Sequence, residues 1–445
     1  MHKIKIPLVE KISYGLGDTA SILTFQMVSV YIMFFYTDVF GLSTASIAVL
    51  LLSARIIDAL IDPIIGIIID KTSTKWGKCR PYFLWFSVPY GLIAIATFFT
   101  PHLSTNGKLI YAYITYISLN IVYSIINLPI TAILPSLTDD YKERTQTTAI
   151  RIFLASCGSI IVSTFTLPLV SILGEGNKQK GFFLTMVLFG FIASLLFVNT
   201  FIQTHERILA NKGNPIPLKK SIMTLKNLPW LLITLVNVFT YIGLNIKNSS
   251  MVYYLSYNIS RQDLIQIFMF VSTIGVLPAI ALTPILVTKI GKRNTLIVGT
   301  LFVLISCFLF AISSNVILLL IADGISALGS GFSNAVTFSM LPDIVDYGEW
   351  KTGVRAQGLL SSSSSFGSKF GMGVGSGLAA LILSLGHYVP HASQAYSAKF
   401  AISFNFIWAS AITSGIILFV LPFYKIDKLY PMIQAYLSKK GELDH

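Results

Sequence analysis

Long apolar stretches alternate with short polar connections along almost the whole chain. Most of these stretches reach the roughly 20 residues that an α-helix needs to cross a bilayer. The pattern therefore predicts about twelve transmembrane helices. They are expected at residues 12–40, 44–69, 81–100, 109–135, 149–173, 181–203, 229–257, 265–288, 294–313, 315–342, 357–386 and 401–424. Because the number is even, both ends of the chain are expected on the same side of the membrane.

The predicted helices fall into two groups of six, separated by one long polar stretch. We expect an N-terminal six-helix bundle over 1–203, a cytoplasmic linker over 204–228, and a C-terminal six-helix bundle with a short cytoplasmic tail over 229–445. Residues 134–139 and 341–346 both begin with Leu-Pro and end with Asp, and a basic residue follows each. Such internal similarity is typical of transporters built from repeats. The predicted fold class is an all-α membrane protein of two pseudo-symmetric bundles.

Composition and charge agree with a membrane protein. Of the 445 residues, 54% are hydrophobic and 11% are charged, which excludes an ordinary soluble domain. Most of the 32 lysines and arginines lie at the termini and in even-numbered connections, so the positive-inside rule predicts a multi-pass protein of the cell (plasma) membrane with both termini cytoplasmic. This bias, with attraction to the anionic lipid bilayer, explains the net charge of +13 without nucleic acid as a partner.

The cysteines and histidines argue against an enzyme. Cys79, Cys157 and Cys307 are scattered, so their spacing predicts neither a disulfide framework nor a zinc site. All six histidines lie in connections or tails, which argues against buried haem ligands and a buried histidine proton relay. An integral membrane enzyme would need such a buried constellation. We therefore expect no enzyme and no cofactor, apart from a co-transported Na⁺ or H⁺.

Three charged residues lie inside the second predicted helix, 44–69. Arg55, Asp58 and Asp62 are spaced by three and four residues, which places them on one face of a helix. Each such charge costs about 2.5–3.5 kcal/mol in the membrane, so two mutually repelling carboxylates need compensation. A bound cation, held as a metal ion by Asp58 and Asp62 if it is Na⁺, is the simplest one. Pro63 frees a backbone carbonyl one turn earlier as a further oxygen ligand. Alternatively, Arg55 and one aspartate neutralise each other as a buried pair.

Polar side chains suited to a sugar follow in the fourth and fifth helices. An arginine fork and an amide have the fixed geometry that hydroxyl groups require, and Arg151 and Asn127 supply them. Tyr123, Ser124 and Thr131 lie within about one turn of Asn127 on the same helix. We interpret Arg151, Asn127, Tyr123 and Thr131 as substrate-binding candidates. Hydrogen bonding between helices is the alternative role for the amide.

The eleventh helix carries Lys369 in a run rich in serine and glycine. A buried lysine needs an acidic partner to keep its charge, and Asp58 or Asp62 could serve when the cation is absent. Lys369 is therefore a further substrate and coupling candidate. Asp18 is an additional candidate for substrate binding, and Lys247 is a further candidate for a functional role inside the membrane. Asp323 is interpreted as a packing or boundary residue.

Several motifs carry a family resemblance over nearly the whole chain. They are SYGLGD (13–18), FFYTDVFGLS (34–43), ARIIDALIDPIIG (54–66), KWGKCRPYFLW (75–85), NLPITAILPSLT (127–138) and DIVDYGEWKTGVRAQG (343–358). Together they resemble the glycoside-pentoside-hexuronide:cation symporter family of the major facilitator superfamily. Within it the chain is similar to the pentoside branch, which includes isoprimeverose transporters. The resemblance implies the major facilitator fold and no enzymatic activity.

The resemblance also assigns residues. It implies Asp58 and Asp62 as cation ligands, with Ser124 as a hydroxyl contributor. Arg151 and Lys369 match basic residues of the sugar and coupling region of melibiose permease. The match is incomplete, because sugar-contacting positions of that protein fall here at Ile22, Asn127 and Thr131, and Asp18 lies one turn before Ile22. These departures argue against galactoside transport.

The cytoplasmic connections resemble the signature loops of the superfamily, which tie neighbouring helix ends together. The residues expected to serve coupling or gating are Arg55, Asp70, Arg144, Asp343, Asp346 and Arg355.

The sequence therefore predicts cation-coupled symport of a small glycoside, such as isoprimeverose, by alternating access of two bundles in a protein that acts as a monomer. The alternative is a cation-coupled lipid, lysolipid or hexuronide carrier on the same scaffold.

Overall fold

The computed structural model describes the chain except for residues 1–4, 139, 208–227, 353–356, 391, 428, 431, 434–435 and 437–445. Within helices, the side chains at 56, 59, 70, 141, 142, 145, 352 and 357–366 are also outside the description. The described residues form helices and loops, joined by one isolated bridge between Thr74 and Gly77.

The N-terminal half contains eight α-helices and one π-helical segment. The helices are α1 (Leu8–Phe34), α2 (Thr44–Lys71), α3 (Arg80–Trp85), α4 (Ser87–Thr97), α5 (Thr105–Ala132), α6 (Leu134–Leu137), α7 (Tyr141–Gly174) and α8 (Lys178–Gln203). The π-helical segment, Phe35–Val39, directly extends α1. Ser43 begins α2 as a helix cap, because its hydroxyl accepts a hydrogen bond from the Ser46 backbone N–H at 3.2 Å.

The described part of the C-terminal half contains seven α-helices. Its helices are α9 (Leu228–Tyr253), α10 (Ile265–Ile290), α11 (Lys292–Ile312), α12 (Val316–Thr352), α13 (Gln357–Leu385), α14 (Tyr396–Ser403) and α15 (Ala409–Val420). Like α1, α9 continues into a π-helical segment, Tyr254–Asn258, and a third, Phe404–Trp408, joins α14 to α15. The first long helix of each half therefore ends in the same way.

In the described part of the chain, 11 helical segments are long and apolar enough to cross a membrane. The remaining predicted span, 81–100, is instead divided into α3 and α4. The break falls at Phe86, and the Ser87 hydroxyl beside it donates to the Leu84 carbonyl at 2.8 Å. A hydroxyl that binds a nearby helix carbonyl in this way bends the helix. Large apolar side chains such as Ile172, Phe308 and Phe419 face outward, as expected for helices surrounded by lipid.

The predicted fourth span, 109–135, ends earlier than expected. Helix α5 stops at Ala132, and Pro135 lies at the start of the separate short helix α6. In the C-terminal half the matching Pro342 lies inside the continuous helix α12. The two Leu-Pro sequences therefore take different structures, because a proline at the first turn of a helix begins it, whereas one inside must be accommodated by the helix.

The chain forms two compact units. One comprises Met1–Asn211 and Tyr388–Ser393, and the other comprises Lys212–His387 and Gln394–His445. In the first unit α1 packs against α7 and α8. A β-carbon at Gly15 of α1 would lie 2.8 Å from Leu154 Cδ1 and 3.2 Å from Arg151 Cα of α7. Glycine there lets the two helices approach closely.

Each unit has an acidic side chain that closes the loop after its second long helix. In the first unit, the Glu206 carboxylate accepts hydrogen bonds from the backbone N–H groups of Lys78, Cys79 and Arg80 at 2.7–3.0 Å. In the second unit, the Asp427 carboxylate accepts one from the Arg293 N–H at 2.8 Å. We call these contacts the Glu206 clamp and the Asp427 clamp. Gly77 and Gly291 beside them have φ values of 109° and 84°, which favour glycine.

Candidate functional site

The charged face of α2 is built as the residue spacing predicts. The Arg55 Nη1 donates to Asp58 Oδ2 at 3.1 Å, and the Asp58 side chain is 5% exposed. Leu60 and Ile64, on the opposite side of the helix, are exposed. The same helix therefore separates a polar inner face from an apolar outer one. The Arg55–Asp58 contact is the buried pair that the sequence offered as an alternative to a cation site.

Helix α5 packs against α2 and adds hydroxyl groups to this face. Arg55 interacts electrostatically with Tyr116 and Tyr123 of α5, and Tyr123 also interacts with Asp62. Ser124 is 3% exposed. The arginine is therefore held by tyrosines as well as by Asp58, while Asp62, one turn further along α2, is half-buried.

A second polar cluster joins α1 to α7. The Arg151 Nε lies 3.5 Å from Asp18 Oδ2, and the Arg151 Nη1 donates to the Tyr14 hydroxyl at 3.1 Å. That hydroxyl in turn donates to the Ile130 carbonyl at 2.9 Å. Because Tyr14 is 1% exposed, it anchors the guanidinium from the buried side. The exposed side of Arg151 remains open, with 23% of its side chain accessible.

Tyr123 lies between the two polar clusters. It interacts electrostatically with Asp18 as well as with Arg55 and Asp62, and its ring stacks on Phe25 of α1, with the centroids 5.3 Å apart. Sugar-binding sites combine such an aromatic surface with convergent donors and acceptors. The N-terminal unit therefore brings Asp18, Arg151 and Tyr123 close to the charged face of α2.

The other substrate candidates of this unit are less enclosed. Asn127 is half-buried one turn after Tyr123. Thr131 is exposed, and its hydroxyl donates to the Leu128 carbonyl at 2.9 Å. That bond uses the donor of the hydroxyl but leaves its acceptor capacity.

In the C-terminal unit, Lys369 lies on α13 and is half-buried. Its neighbour Ser368 is buried and shares hydrogen bonds with Asn237 of α9 at 3.1 and 3.3 Å. Gly371 allows this packing, because a β-carbon there would lie 2.6 Å from the Val238 carbonyl oxygen of α9. The structure thus fixes the helix that carries Lys369, and its predicted pairing with the α2 aspartates stays a prediction.

The coupling candidates Arg144, Asp343 and Asp346, predicted in cytoplasmic connections, lie inside helices α7 and α12 and make contacts within their own units. Arg144 Nε donates to the Thr138 carbonyl at 2.8 Å, and its Nη2 donates to the Pro135 carbonyl at 3.3 Å. Asp343 pairs with Lys292 at 2.5 Å, and Asp346 accepts from the Tyr430 hydroxyl at 3.1 Å. The Asp70 side chain and Arg355 lie outside the described residues.

One buried charge pair was not recognised as a site from the sequence. Lys247 Nζ of α9 donates to Asp323 Oδ1 of α12 at 2.9 Å, and Asp323 is 0% exposed. The signal was present, because both residues lie inside predicted membrane helices, 229–257 and 315–342. The packing or boundary role predicted for Asp323 rests on its place near the outer part of the predicted tenth span. Its partner lies on another helix, which residue spacing cannot reveal.

Metal-binding side chains are sparse in the described part of the chain. It holds no group of three or more histidine, cysteine, aspartate or glutamate side chains that could bind a metal ion. A monovalent cation could still be held by two carboxylates and a hydroxyl, since Na⁺ and H⁺ need no such cluster. Asp58, Asp62 and Ser124 remain the candidates for it.

The chain has clear relatives among known proteins. The model of the family described as MFS/sugar transport protein matches residues 13–428. The isoprimeverose transporter of Lactiplantibacillus pentosus is 40% identical over 99% of this chain and 93% of the relative. The uncharacterized symporter YnaJ of Bacillus subtilis (strain 168) is 35% identical over 99% of this chain and 97% of the relative.

Solved structures show the same fold at much lower identity. The crystal structure of the nucleoside transporter NupG matches with a TM-score of 0.67 and 14% identity, covering 94% of this chain and 100% of that one. At that identity the similarity concerns the fold alone.

Proposed function

Because this chain belongs to the MFS/sugar transport protein family, we propose that it is a cation-coupled symporter of a small glycoside, such as isoprimeverose. Membership of the family makes it an integral membrane transporter of the major facilitator fold rather than an enzyme. The glycoside, the cation and the direction of coupling are parts of the proposal.

The observation that supports the proposal most is the arrangement around Tyr123. An ion pair that is open on one side, Arg151 with Asp18, lies beside an aromatic ring and beside the acidic face of α2. The guanidinium and the carboxylate offer donors and acceptors to neighbouring hydroxyl groups, and the Tyr123 ring offers an apolar face to a sugar ring. A polyol needs both, because each hydrogen bond it loses to water must be replaced.

In this proposal the cation binds at Asp58 and Asp62, with Ser124 as a third oxygen. Arg55 already neutralises part of the charge of Asp58. In the proposal the cation adds a further positive charge beside the two carboxylates inside the membrane. Tyr123 lies near both Asp62 and Asp18, so in the proposal the two subsites share it as a neighbour. Coupling requires that binding at one subsite changes the free energy of binding at the other.

Alternating access of the two bundles would carry the two ligands across the membrane together. We place the protein in the cell membrane with both termini in the cytoplasm, because its basic residues concentrate at the termini and even-numbered connections. We further propose that one chain suffices for transport, with the lipid bilayer as its surroundings.

The proposal is tested by uptake into liposomes that contain the purified protein. Labelled isoprimeverose, a hexuronide and a lysolipid are offered in turn, each with an inward Na⁺ gradient, an inward H⁺ gradient or none. We expect concentrative uptake of the glycoside with one of the two gradients. Glycoside uptake that no gradient increases would contradict coupling, and transport of the hexuronide or the lysolipid alone would replace the proposed substrate.

Arg151→Lys and Arg261→Lys form a matched pair for the substrate site. The first removes the planar fork that contacts Tyr14 and Asp18, whereas the second changes an exposed arginine paired with Asp263. We expect glycoside affinity to fall at least tenfold, or about 1.4 kcal/mol, in Arg151→Lys and to be unchanged in Arg261→Lys.

A further inference from the structure

An ion pair lies deep inside the C-terminal unit, apart from the residues proposed for transport. Lys247 of α9 and Asp323 of α12 are 2.9 Å apart, with side chains 10% and 0% exposed. Asp323 Oδ2 also accepts a hydrogen bond from the Ser272 hydroxyl of α10 at 2.5 Å. Three helices are therefore joined through one carboxylate. Ionisable residues at membrane depth are costly and are usually retained for a function.

The Lys247 ammonium has contacts that do not depend on Asp323. It donates to the Ser326 hydroxyl at 2.8 Å, and it lies 5.2 and 5.5 Å from the ring centres of Phe310 and Phe406. An ammonium is attracted to each aromatic face, most strongly where water is excluded. The positive charge is thus supported on several sides, and only one of them is the carboxylate.

A hydroxyl-lined cavity adjoins the ammonium on the same side as Ser326. Its volume is about 40 Å³, which accommodates about three or four water molecules at 10–15 Å³ each. Its lining contains Lys247 together with eight hydroxyl side chains, Thr240, Thr300, Ser326, Ser330, Ser333, Ser410, Thr413 and Ser414. Several of these hydroxyls donate to carbonyls of their own helices, for example Ser330 to Ser326 and Thr240 to Val236. Their oxygens remain able to accept hydrogen bonds from water or from the ammonium.

We infer that the Lys247–Asp323 pair is a proton-binding site. A proton from water binds the Asp323 carboxylate, the Nζ–H···Oδ1 hydrogen bond breaks, and the ammonium turns into the hydroxyl-lined cavity with its charge retained. The charge of the pair changes from zero to +1. A purely structural ion pair needs no space beside its ammonium, whereas this one adjoins a hydroxyl-lined cavity with room for water.

The Cys307 thiol of α11 is a titratable side chain that also interacts with Lys247. A neutral thiol adds no charge to the pair, whereas protonation of Asp323 changes it. The inference adds a site to the proposed function and does not depend on which glycoside is carried. It gives the C-terminal unit a response to pH that is separate from the α2 carboxylates.

The site is tested by infrared spectroscopy of the purified full-length protein in lipid, recorded as the pH falls from about 8 to about 3, a range that includes ordinary carboxyl titration. We expect a protonated-carboxyl band that is absent in Asp323→Asn and retained in Asp263→Asn, which changes an exposed aspartate of the same unit. If Asp323→Asn fails to fold because Lys247 loses its counter-ion, the double variant Lys247→Gln/Asp323→Asn removes both charges and must lose the same band.

Lys247→Gln supplies the second readout. Without the ammonium the carboxylate loses its stabilising charge, so the band should appear at a pH at least one unit higher, a tenfold change in proton affinity. Identical titrating bands in the wild type and in the Asp323→Asn or double variant would overturn the inference and make the pair structural. A band that is lost with Asp323 but unchanged in Lys247→Gln would overturn the role given to the ammonium. Neither readout requires transport, so failure here is distinguishable from failure of the proposed symport.

Discussion

Two ion pairs, Arg151–Asp18 in the N-terminal unit and Lys247–Asp323 in the C-terminal unit, differ in how completely they are enclosed. In the N-terminal unit, Arg151 and Asp18 are 3.5 Å apart with 23% and 20% of their side chains exposed. In the C-terminal unit, Lys247 and Asp323 are 2.9 Å apart and almost fully enclosed. A partly exposed arginine can exchange its contacts for those of a ligand, whereas an enclosed lysine can exchange them only with its own cavity. We therefore assign ligand recognition to the first pair and an internal role to the second.

The clamps show the same asymmetry at the helix ends. The Glu206 clamp fixes three backbone N–H groups, whereas the Asp427 clamp fixes one. In both units an acidic residue after the last long helix closes the loop that follows the second long helix. The two clamps differ in the number of backbone N–H groups that they bind.

The largest expected effect is on stability, from Lys247→Met compared with Arg151→Met. At neutral pH the first change leaves Asp323 as a buried carboxylate without its cation, which costs about 3–5 kcal/mol. The second removes a partly exposed ion pair and one hydrogen bond, for about 1–2 kcal/mol. Denaturant unfolding of both variants in the same detergent measures the difference. Equal destabilisation would remove the contrast between the units.

A smaller effect is expected from the clamps. Glu206→Gln weakens three charge-assisted hydrogen bonds and should cost about 2–3 kcal/mol, whereas Asp427→Asn weakens one and should cost about 1–1.5 kcal/mol. Unfolding midpoints of the two variants, with Glu175→Gln as an exposed control, test the order. The reverse order would show that the number of backbone contacts does not set clamp strength.

Helix packing beside Arg151 is tested by comparing Gly15→Ala with Gly66→Ala. In Gly15→Ala the new methyl group would meet Leu154 and the Arg151 backbone, so overpacking of about 1–2 kcal/mol is expected together with weaker glycoside binding. At Gly66 no described side chain or other helix lies within 4 Å of the added carbon. Gly66→Ala should therefore be neutral or slightly stabilising, and calorimetric binding of both variants separates the two outcomes.

The smallest effect concerns pH. Glu143, outside the membrane span, pairs with Lys11 at 2.8 Å and accepts from the Ile6 N–H at 3.1 Å. The hydrogen bond from Lys11 is the largest cause of the lowered pKa of Glu143. Because the pKa is lowered on folding, this stabilisation is full above the ordinary glutamate pKa and is lost as the pH falls through the folded one. Glu143→Gln should remove that acid dependence, at a cost below about 1 kcal/mol in neutral solution. Unfolding midpoints of the wild type and Glu143→Gln, measured across the acidic pH range, test this. Equal loss of stability in the two proteins would contradict it.

The membrane helices and their order were predictable because apolar length is set by bilayer thickness. The break at Phe86 was not predictable, since a hydropathy pattern does not show that the Ser87 hydroxyl binds a helix carbonyl. The different helix positions of Pro135 and Pro342 were equally unpredictable, because the two Leu-Pro sequences are similar and their surroundings differ.

The candidate site also has features that the sequence predicts and features that it does not. The shared face of Arg55, Asp58 and Asp62 followed from helical spacing, a local property. The Tyr14 anchor of Arg151 and the Lys247–Asp323 pair depend on contacts between helices distant in the sequence, which no spacing rule provides. The roles given to these residues in binding and coupling stay predictions.

The central claim is that the acidic face of α2 couples a cation to glycoside transport in the N-terminal unit. Concentrative uptake and glycoside exchange in Asp58→Asn and Asp62→Asn, each beside Asp263→Asn as a control, test it most directly. We predict that both α2 variants lose uphill accumulation by at least tenfold, or about 1.4 kcal/mol, while exchange survives in part and the control behaves as the wild type. Undiminished accumulation in both α2 variants would contradict the account.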